Sequence, residues 1–340
     1  MKLHCRKLLY LIAAAVAMPA MNESGHAQDY PSRPVRLIVG FAAGGPLDTG
    51  ARLIAQALAE RFHQSFVVEN HAGASGNIAA AEVARAGPDG YTLLVCAAAN
   101  SWNAGLYQNL GFDFPGDIAP VASFNRSGGI MLSSLSVSAQ TIPEFINYAK
   151  ANPGKINMAS AGPGSAPGMY GELFKSLAGV GLVTVNYRGS APAMPDLFAG
   201  RVQVLFEPAI TAIAPVVAGK VCALGVTSAR RIAQLPDVPA IGEYVHGYVA
   251  TGWQAICAPK NTPPQIVATL NKEVNAVLAD PEFKRHLTTL GVEPFPNSPA
   301  EFGKFVVEYT EKWRKVIREA GLKAAIAGRR RGLKPSQCAN

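Results

Sequence analysis

Apolar positions along the chain repeat one phrase. A short β-branched run meets a loop of small residues, and the loop opens a stretch with apolar positions three and four apart. VRLIVGF (residues 35–41) leads through AAGG into PLDTGARLIAQALAERF. There Leu47, Ala51, Ile54, Leu58 and Phe62 share one helical face. SFVVEN leads through HAGASG into NIAAAEVARAG, and PDGYTLLVCA adds a strand after a turn. KINMASA (155–161) runs through GPG into SAPGMYGELFKSLAG. LVTVNY (182–187) runs through RG into SAPAMPDLFAG, and RVQVLFEP (201–208) runs into AITAIAPVVAG before the strand KVCALGVTS. Strands that alternate with helices predict an α/β fold with largely parallel sheets. The last third, PPQIVATLNKEVNAVLADPEFKRHLTTLG and SPAEFGKFVVEYTEKWRKVIREAG, has helical periodicity with Pro or Ser at each start.

In open α/β sheets, ligands bind beyond the carboxyl ends of strands, at helix N-termini. Four loops have that placement. In the first, the pattern predicts Gly45 as N-cap and Pro46 as first helical residue, leaving the Leu47 and Asp48 N–H groups without intrahelical partners. Gly44 lets a ligand approach the backbone. Asp48, at the third helical position, is expected to fold back as a local cap rather than to act in catalysis. The second loop offers Gly73, Ala74, Ser75 and Gly76. In the third, Ser165 reads as an N-cap with Pro167 just inside the helix, and Ser190 with Pro192 is expected to repeat that arrangement. Nucleotide loops fail on spacing: no Lys follows Gly44-Gly45 as GxxxxGK[ST] demands, and GPGSAPG (162–168) is one residue too long for GxGxxG. No GxSxG elbow is present, and no histidine lies in the loop of Ser165 or of Ser190.

The composition, 49% hydrophobic and 16% charged over 340 residues, is that of a folded protein large enough for two lobes. Lys2, Arg6 and Lys7 precede the apolar run LLYLIAAAVA (8–17), too short to span a bilayer, and Gly25-His26-Ala27 has the small-residue pattern of a cleavage site. Residues 1–27 therefore read as a signal peptide, which predicts export to a bacterial periplasm. The net charge of +8 shrinks once position is considered. Residues 1–27 hold three Lys/Arg and one acid, leaving about +6, and four of those positive charges sit in the tail, at Arg329, Arg330, Arg331 and Lys334. The body is near neutral and does not read as a nucleic-acid binder. Cys96, Cys222 and Cys257 lie in apolar runs and are expected to be small buried hydrophobes; a disulfide is permitted in that compartment but cannot be assigned from sequence. The histidines are scattered, so no metal site and no cofactor are expected.

Taken together, YPSRPVRLIV (30–39), AGGxxD (43–48), VVENHAGASGNIAAAEVARAGPDGYTLL, FKSLAGVGLVTVNYRGSAPAMPDLFAGRVQVLF, ALGVTSARRIAQLPDVPAIGE and EKWRKVIREAGLK resemble the extracytoplasmic substrate-binding proteins of tripartite tricarboxylate transporters, the Bug family. The likeness covers roughly residues 30–323. It implies a type II periplasmic binding protein fold: two doubly wound lobes that close on a ligand about a hinge. Lobe 1 would span 28–125 and 228–323, lobe 2 would span 126–227, and 324–340 would be a flexible basic tail. Crossovers are expected near 124–130 and 225–229.

The resemblance also implies a small carboxylate ligand held by backbone amides and waters: a dicarboxylate, tricarboxylate, amino acid or aromatic acid. Carried onto this chain, Ala43, Gly44 and Gly45 with Asp48, and Ala74 with Ser75, would hold it from lobe 1. Ser165, Ala166, Tyr187, Gly189 and Ser190 would face it from lobe 2. Phe41 would wall the cleft or pack at a strand end. The chain departs from the family's PFPAGG, having Gly40 and Ala42 in place of prolines, and Pro46 follows where a small or polar residue is usual. After VQVLF the family usually has Asp and this chain has Glu207, expected either to read a ligand's amino or hydroxyl group or to join a surface or hinge ion pair. Arg126 and Arg188 are the nearest cations, each expected to be solvated. The implied function is capture without catalysis, by a monomer that hands its ligand to membrane transporter subunits. The alternatives are a liganded form that signals to a membrane sensor, a ligand-sensing domain of a regulator, and a secreted α/β hydrolase using Ser165 or Ser190.

Overall fold

A computed structural model describes residues 30–107 and 110–322. Tyr30–Ser32 belong to a separate compact unit, and the sheet with its helices is built from Arg33 onward. The signal-peptide and basic-tail readings, with Cys5 and Cys338, lie outside the described residues.

The chain runs β1 (Val35–Val39), α1 (Pro46–Phe62), β2 (Phe66–Asn70), a single turn (Ala74–Gly76), α2 (Asn77–Ala84), β3 (Thr92–Ala97), α3 (Ala98–Leu106), α4 (Phe114–Asp117) and β4 (Ile118–Ser133). It continues through α5 (Ile142–Ala151), β5 (Asn157–Ser160), α6 (Ala166–Ala178), β6 (Val183–Asn186), α7 (Met194–Phe198), β7 (Val204–Pro208), α8 (Ala209–Val217) and β8 (Cys222–Val226). Then come β9 (Thr251–Pro259), α9 (Pro264–Ala279), α10 (Pro281–Thr289), β10 (Glu293–Pro294) and α11 (Pro299–Glu319). The strand–loop–helix phrases became these elements within a few residues. Pro281 divides the predicted long C-terminal helix: it cannot continue α9, and Asp280 caps α10 through the Phe283 N–H.

The strands pair in two groups. In one, β2, β1 and β3 run parallel, and β9 then joins β3 antiparallel. In the other, β6, β5 and β7 run parallel. β4 belongs to both, pairing with β9 from Ile118 to Gly128 and with β7 from Gly129 to Ser133. The two-residue β10 was not predicted from the hydrophobic pattern, and neither were the two long strands β4 and β9. Pro120, Gly128 and Gly129 interrupt the first, and both are too buried to alternate.

Thr227 ties the crossing segments together. Its hydroxyl accepts the Gly129 N–H at 2.6 Å and donates to the Ala250 carbonyl at 2.6 Å. Its amide donates to the Gly129 carbonyl, and the Ala250 amide donates to the Thr227 carbonyl. One core cluster centres on Trp102 of α3, which meets Tyr170 and Trp313 edge-on.

Cys96 and Cys257 are buried as expected, and Cys222 departs from the expectation. Cys96 and Cys257 form a disulfide between β3 and β9, because the antiparallel register brings their Cα atoms to 5.9 Å. Cys222 is a free thiol, half-buried rather than buried.

Candidate functional site

The β1–α1 loop forms as its sequence dictates. Gly45 is the N-cap and Pro46 opens α1. Asp48 is buried and makes the local cap, its Oδ2 accepting the Gly44 N–H at 2.9 Å. The same oxygen accepts from Arg52 Nε at 2.9 Å, and Oδ1 accepts from Asn70 Nδ2 at 2.9 Å. Burial pushes this carboxyl up, but the bonds from Arg52, Gly44 and Asn70 outweigh it and hold the group below the usual carboxylate range. At the other wall Ser165 caps α6, accepting the Gly168 N–H at 3.2 Å and donating to the Gly162 carbonyl at 2.6 Å.

Ser190 does not repeat that arrangement. α7 begins at Met194, four residues later, because Pro192 and Ala193 form a turn first. The Ser190 carbonyl accepts the Ala193 and Met194 amides, and its hydroxyl donates to Glu207 Oε1 at 2.9 Å. The ion-pair reading of Glu207 is also wrong. This carboxyl is only 1% exposed, and its partners are the hydroxyls of Ser190 and Thr211, both on Oε1. Oε2 is buried with no hydrogen-bond partner. Burial, resisted by those two hydroxyls, pushes the group up to about 7.

These loops face each other in pairs. A methyl group added at Gly189 (φ +147°) would stand 3.0 Å from Ala42 Cβ, and one at Gly162 (φ +110°) would stand 2.5 Å from Ser75 Oγ. Only glycine fits at either contact. Beneath the pairs lies a cleft with about 620 Å³ of space free of atoms, part of it open to solvent. Of the expected residues, Phe41, Gly45, Ser165, Ala166 and Ser190 line it. Phe41 thus contributes to the wall. Ala43, Gly44 and Ala74 are exposed near the rim, while Ser75 and Gly189 are spent on the loop contacts. Asp48 and Glu207 lie behind the lining. Tyr187 is half-buried, its hydroxyl donating to Asp196 at 2.7 Å, and burial followed by that bond raises it to about 12. Arg188 is exposed, and Arg126 is exposed and paired with Glu293.

Sequence reasoning missed half of the cleft. The N-terminus of α3 (Ala97, Ala98, Ala99) lines it, with Trp102 one turn further on. Asn125 and Ser127 of β4, Tyr170 of α6, and Gly252, Trp253 and Gln254 of β9 complete it. The signal for α3 was present in YTLLVCAAAN, a strand running into small residues, but no glycine marked it.

The N-termini of α1, α3 and α6 therefore meet at one cavity. The first-turn amides of Leu47, Ala98, Ala99 and Ala166 have no intrahelical acceptor. Each terminus carries roughly half a positive charge, which favours an anion. Among the described residues, no charged side chain and no histidine line the space. A hydrolase built on Ser165 or Ser190 is not supported: the Ser165 proton goes to a backbone carbonyl, Ser190 meets the Glu207 carboxyl alone, and no histidine among the described residues lines the cleft to complete a relay. Among those residues no cluster could hold a metal ion.

Residues 50–322 match the sequence profile described as "Tripartite tricarboxylate transporter family receptor". The chain belongs to this family. The fold of the receptor agrees with solved relatives. The periplasmic binding protein BugD superposes with a TM-score of 0.84 at 35% identity, covering 86% of this chain and 99% of that one. R. palustris Rpa4515, solved with adipate, gives 0.84 at 35%, covering 87% and 99%. MatC from Rhodopseudomonas palustris, solved with malate, gives 0.81 at 32%, covering 85% and 100%. The receptor thus has the type II periplasmic binding fold and belongs to a family of binding proteins, not of enzymes.

Proposed function

We propose that the receptor captures a small organic carboxylate in this cleft, in the periplasm, and delivers it as a monomer to a tripartite tricarboxylate-type transporter. The observation that carries the reading is the meeting of three helix N-termini at a cavity lined by no charged side chain among the described residues. The adipate and malate held by two related proteins support a carboxylate as the anion. The lobes proposed are 28–125 with 228–323, and 126–227. Their hinge would lie where β4 changes partners at Gly128–Gly129 and where Thr227 bonds both crossings.

The energetics ask for closure. Four amide bonds to a carboxylate contribute roughly 6–12 kcal/mol, association costs about 4–15 kcal/mol, and micromolar affinity needs about −8 kcal/mol. Expulsion of water from the walls of Phe41, Leu47, Trp102, Tyr170 and Trp253 supplies the remainder as the lobes close.

The test is to purify the mature protein without refolding, identify co-eluting small molecules by mass spectrometry, and screen mono-, di- and tricarboxylates and amino acids by thermal shift. A ligand at a hundred times its Kd adds about 2.7 kcal/mol of stability. If no carboxylate co-elutes and none moves the melting curve, the reading fails.

A further inference from the structure

The hydroxyl and amide protons of four polar side chains around the cleft already have acceptors, while the indole N–H groups of Trp102 and Trp253 have none among the described residues. Ser165 gives its proton to the Gly162 carbonyl, the Gln254 amide donates to the Pro46 carbonyl, and the Asn125 amide donates to Gln254. Ser190 gives its proton to Glu207. A carboxylate has no proton to return, so while Glu207 is ionised the Ser190 hydroxyl can offer the cleft only its lone pairs. Thr211 also donates to Oε1, and no third donor among the described residues reaches the buried Oε2. The Ser190 hydroxyl lies 3.9 Å from the point where a Cβ on Gly45 would stand, within the narrow part between the walls.

We propose that Ser190, held by Glu207, is the acceptor that selects the ligand, so that the cleft favours a small carboxylate carrying a hydroxyl or amino group over the unsubstituted acid of the same skeleton. This rests on the carboxylate reading above. The carboxyl end meets the amides of the three helix N-termini, and the substituent donates to Ser190 Oγ. Glu207 is a positioning residue that acts through Ser190. A ligand ammonium gains in addition from its negative charge. An unsubstituted chain leaves the Ser190 lone pairs facing methylene groups, a buried acceptor without a donor.

Among the described residues nothing nearby neutralises Glu207. β5 and α8 carry no titratable residue. On β4 the Arg126 side chain is tied to Glu293. On α6, Glu172 pairs with Lys175, and the Tyr170 phenol is buried and held neutral by that burial. In the loop before Ser190, Tyr187 is bonded to Asp196 and Arg188 is exposed. On α1, which packs on α8, Asp48 pairs with Arg52 and Arg61 pairs with Glu273. Protonation of Glu207 releases the obligation on Ser190, so the selectivity weakens as the group takes up its proton near pH 7.

The experiment is calorimetric titration of matched sets, such as succinate, malate and aspartate, or glutarate, 2-hydroxyglutarate and glutamate, against the intact protein. At about pH 8.5 the substituted member of the bound set should win by roughly tenfold or more, and the ratio should shrink at about pH 6.5. Ser190→Ala should bring the ratio near one while the unsubstituted acid still binds. Glu207→Leu, which frees the Ser190 proton, should lower the ratio and remove its pH dependence. Carboxylates that bind with a ratio near one at both pH values overturn the assignment of Ser190 and leave the carboxylate reading intact. A ratio above ten that is flat with pH in the unaltered protein overturns the role of Glu207 without recourse to any variant. Failure of every set to bind overturns both.

Discussion

Two carboxyls sit behind the walls of the cleft, both shielded from solvent, Glu207 the more deeply, and opposite in character. Asp48, behind the β1–α1 loop, is 2% exposed, and Glu207, behind the 187–191 loop, is 1% exposed. Asp48 receives a guanidinium, a backbone amide and a side-chain amide over both oxygens, and is held as an anion. Glu207 receives two hydroxyls on one oxygen and none on the other, and burial dominates. Depth of burial and the donors around each carboxyl together decide its state. The Asp48 wall is fastened further by the Cys96–Cys257 disulfide, close below the Ala97–Ala99 turn and Gln254. One wall is thus stapled by a disulfide, and the facing wall rests on hydrogen bonds to one oxygen of Glu207.

The largest test of that contrast removes the staple. The disulfide closes a loop of 161 residues, for which chain entropy gives about 5 kcal/mol. Cys96→Ala with Cys257→Ala should lower the urea unfolding free energy by that order, and a loss under about 1 kcal/mol would remove the distinction between the walls. Next in size is the pH response of Glu207. Its folded pKa lies above the unfolded one, so the folded state loses stability as pH rises from the ordinary carboxyl value to about 7, by about 3 kcal/mol. Glu207→Leu should abolish this loss and exceed the unaltered protein in stability at alkaline pH. Unfolding curves at several pH values would check both points.

Asp48 should behave in the opposite sense. Its folded pKa is depressed, so its contribution is full above the ordinary carboxyl value and fades as pH falls through the folded one. Asp48→Ala should cost about 1.5–3 kcal/mol at neutral pH in a denaturant titration, with less difference in acid. The smallest expected effect lies at the crossing. Thr227→Val removes two buried hydrogen bonds between the crossing segments. It should cost about 1–3 kcal/mol and raise the proportion of open molecules seen by small-angle scattering.

Much of this was legible in the sequence because strand-end loops announce themselves chemically. Gly45-Pro46 and Ser165-Ala166-Pro167 cap helices through local rules, and both formed as read. Asp48 was legible as a cap for the same reason. The α3 N-terminus was not, since Ala97–Ala99 make the same turn without glycine and leave no compositional mark. Glu207 is one letter in a strand; its isolation depends on which side chains β4, α6 and α8 bring to it, and that is tertiary. The disulfide likewise follows from the β3–β9 register, and β9 was itself hidden by its burial. The family likeness supplied the two-lobed plan, but the placement of individual site residues came from packing.

Capture of a carboxylate by backbone amides at three helix N-termini is open to an amide-resolved NMR titration. The nitrogen-15-labelled protein would be titrated with a carboxylate that raises its melting temperature. Capture at the helix termini predicts large, saturable shifts at the amides of Leu47, Ala98, Ala99 and Ala166, with smaller changes around Thr227, where the hinge is proposed. Saturable shifts confined to other surfaces, with those four amides unmoved, would contradict it.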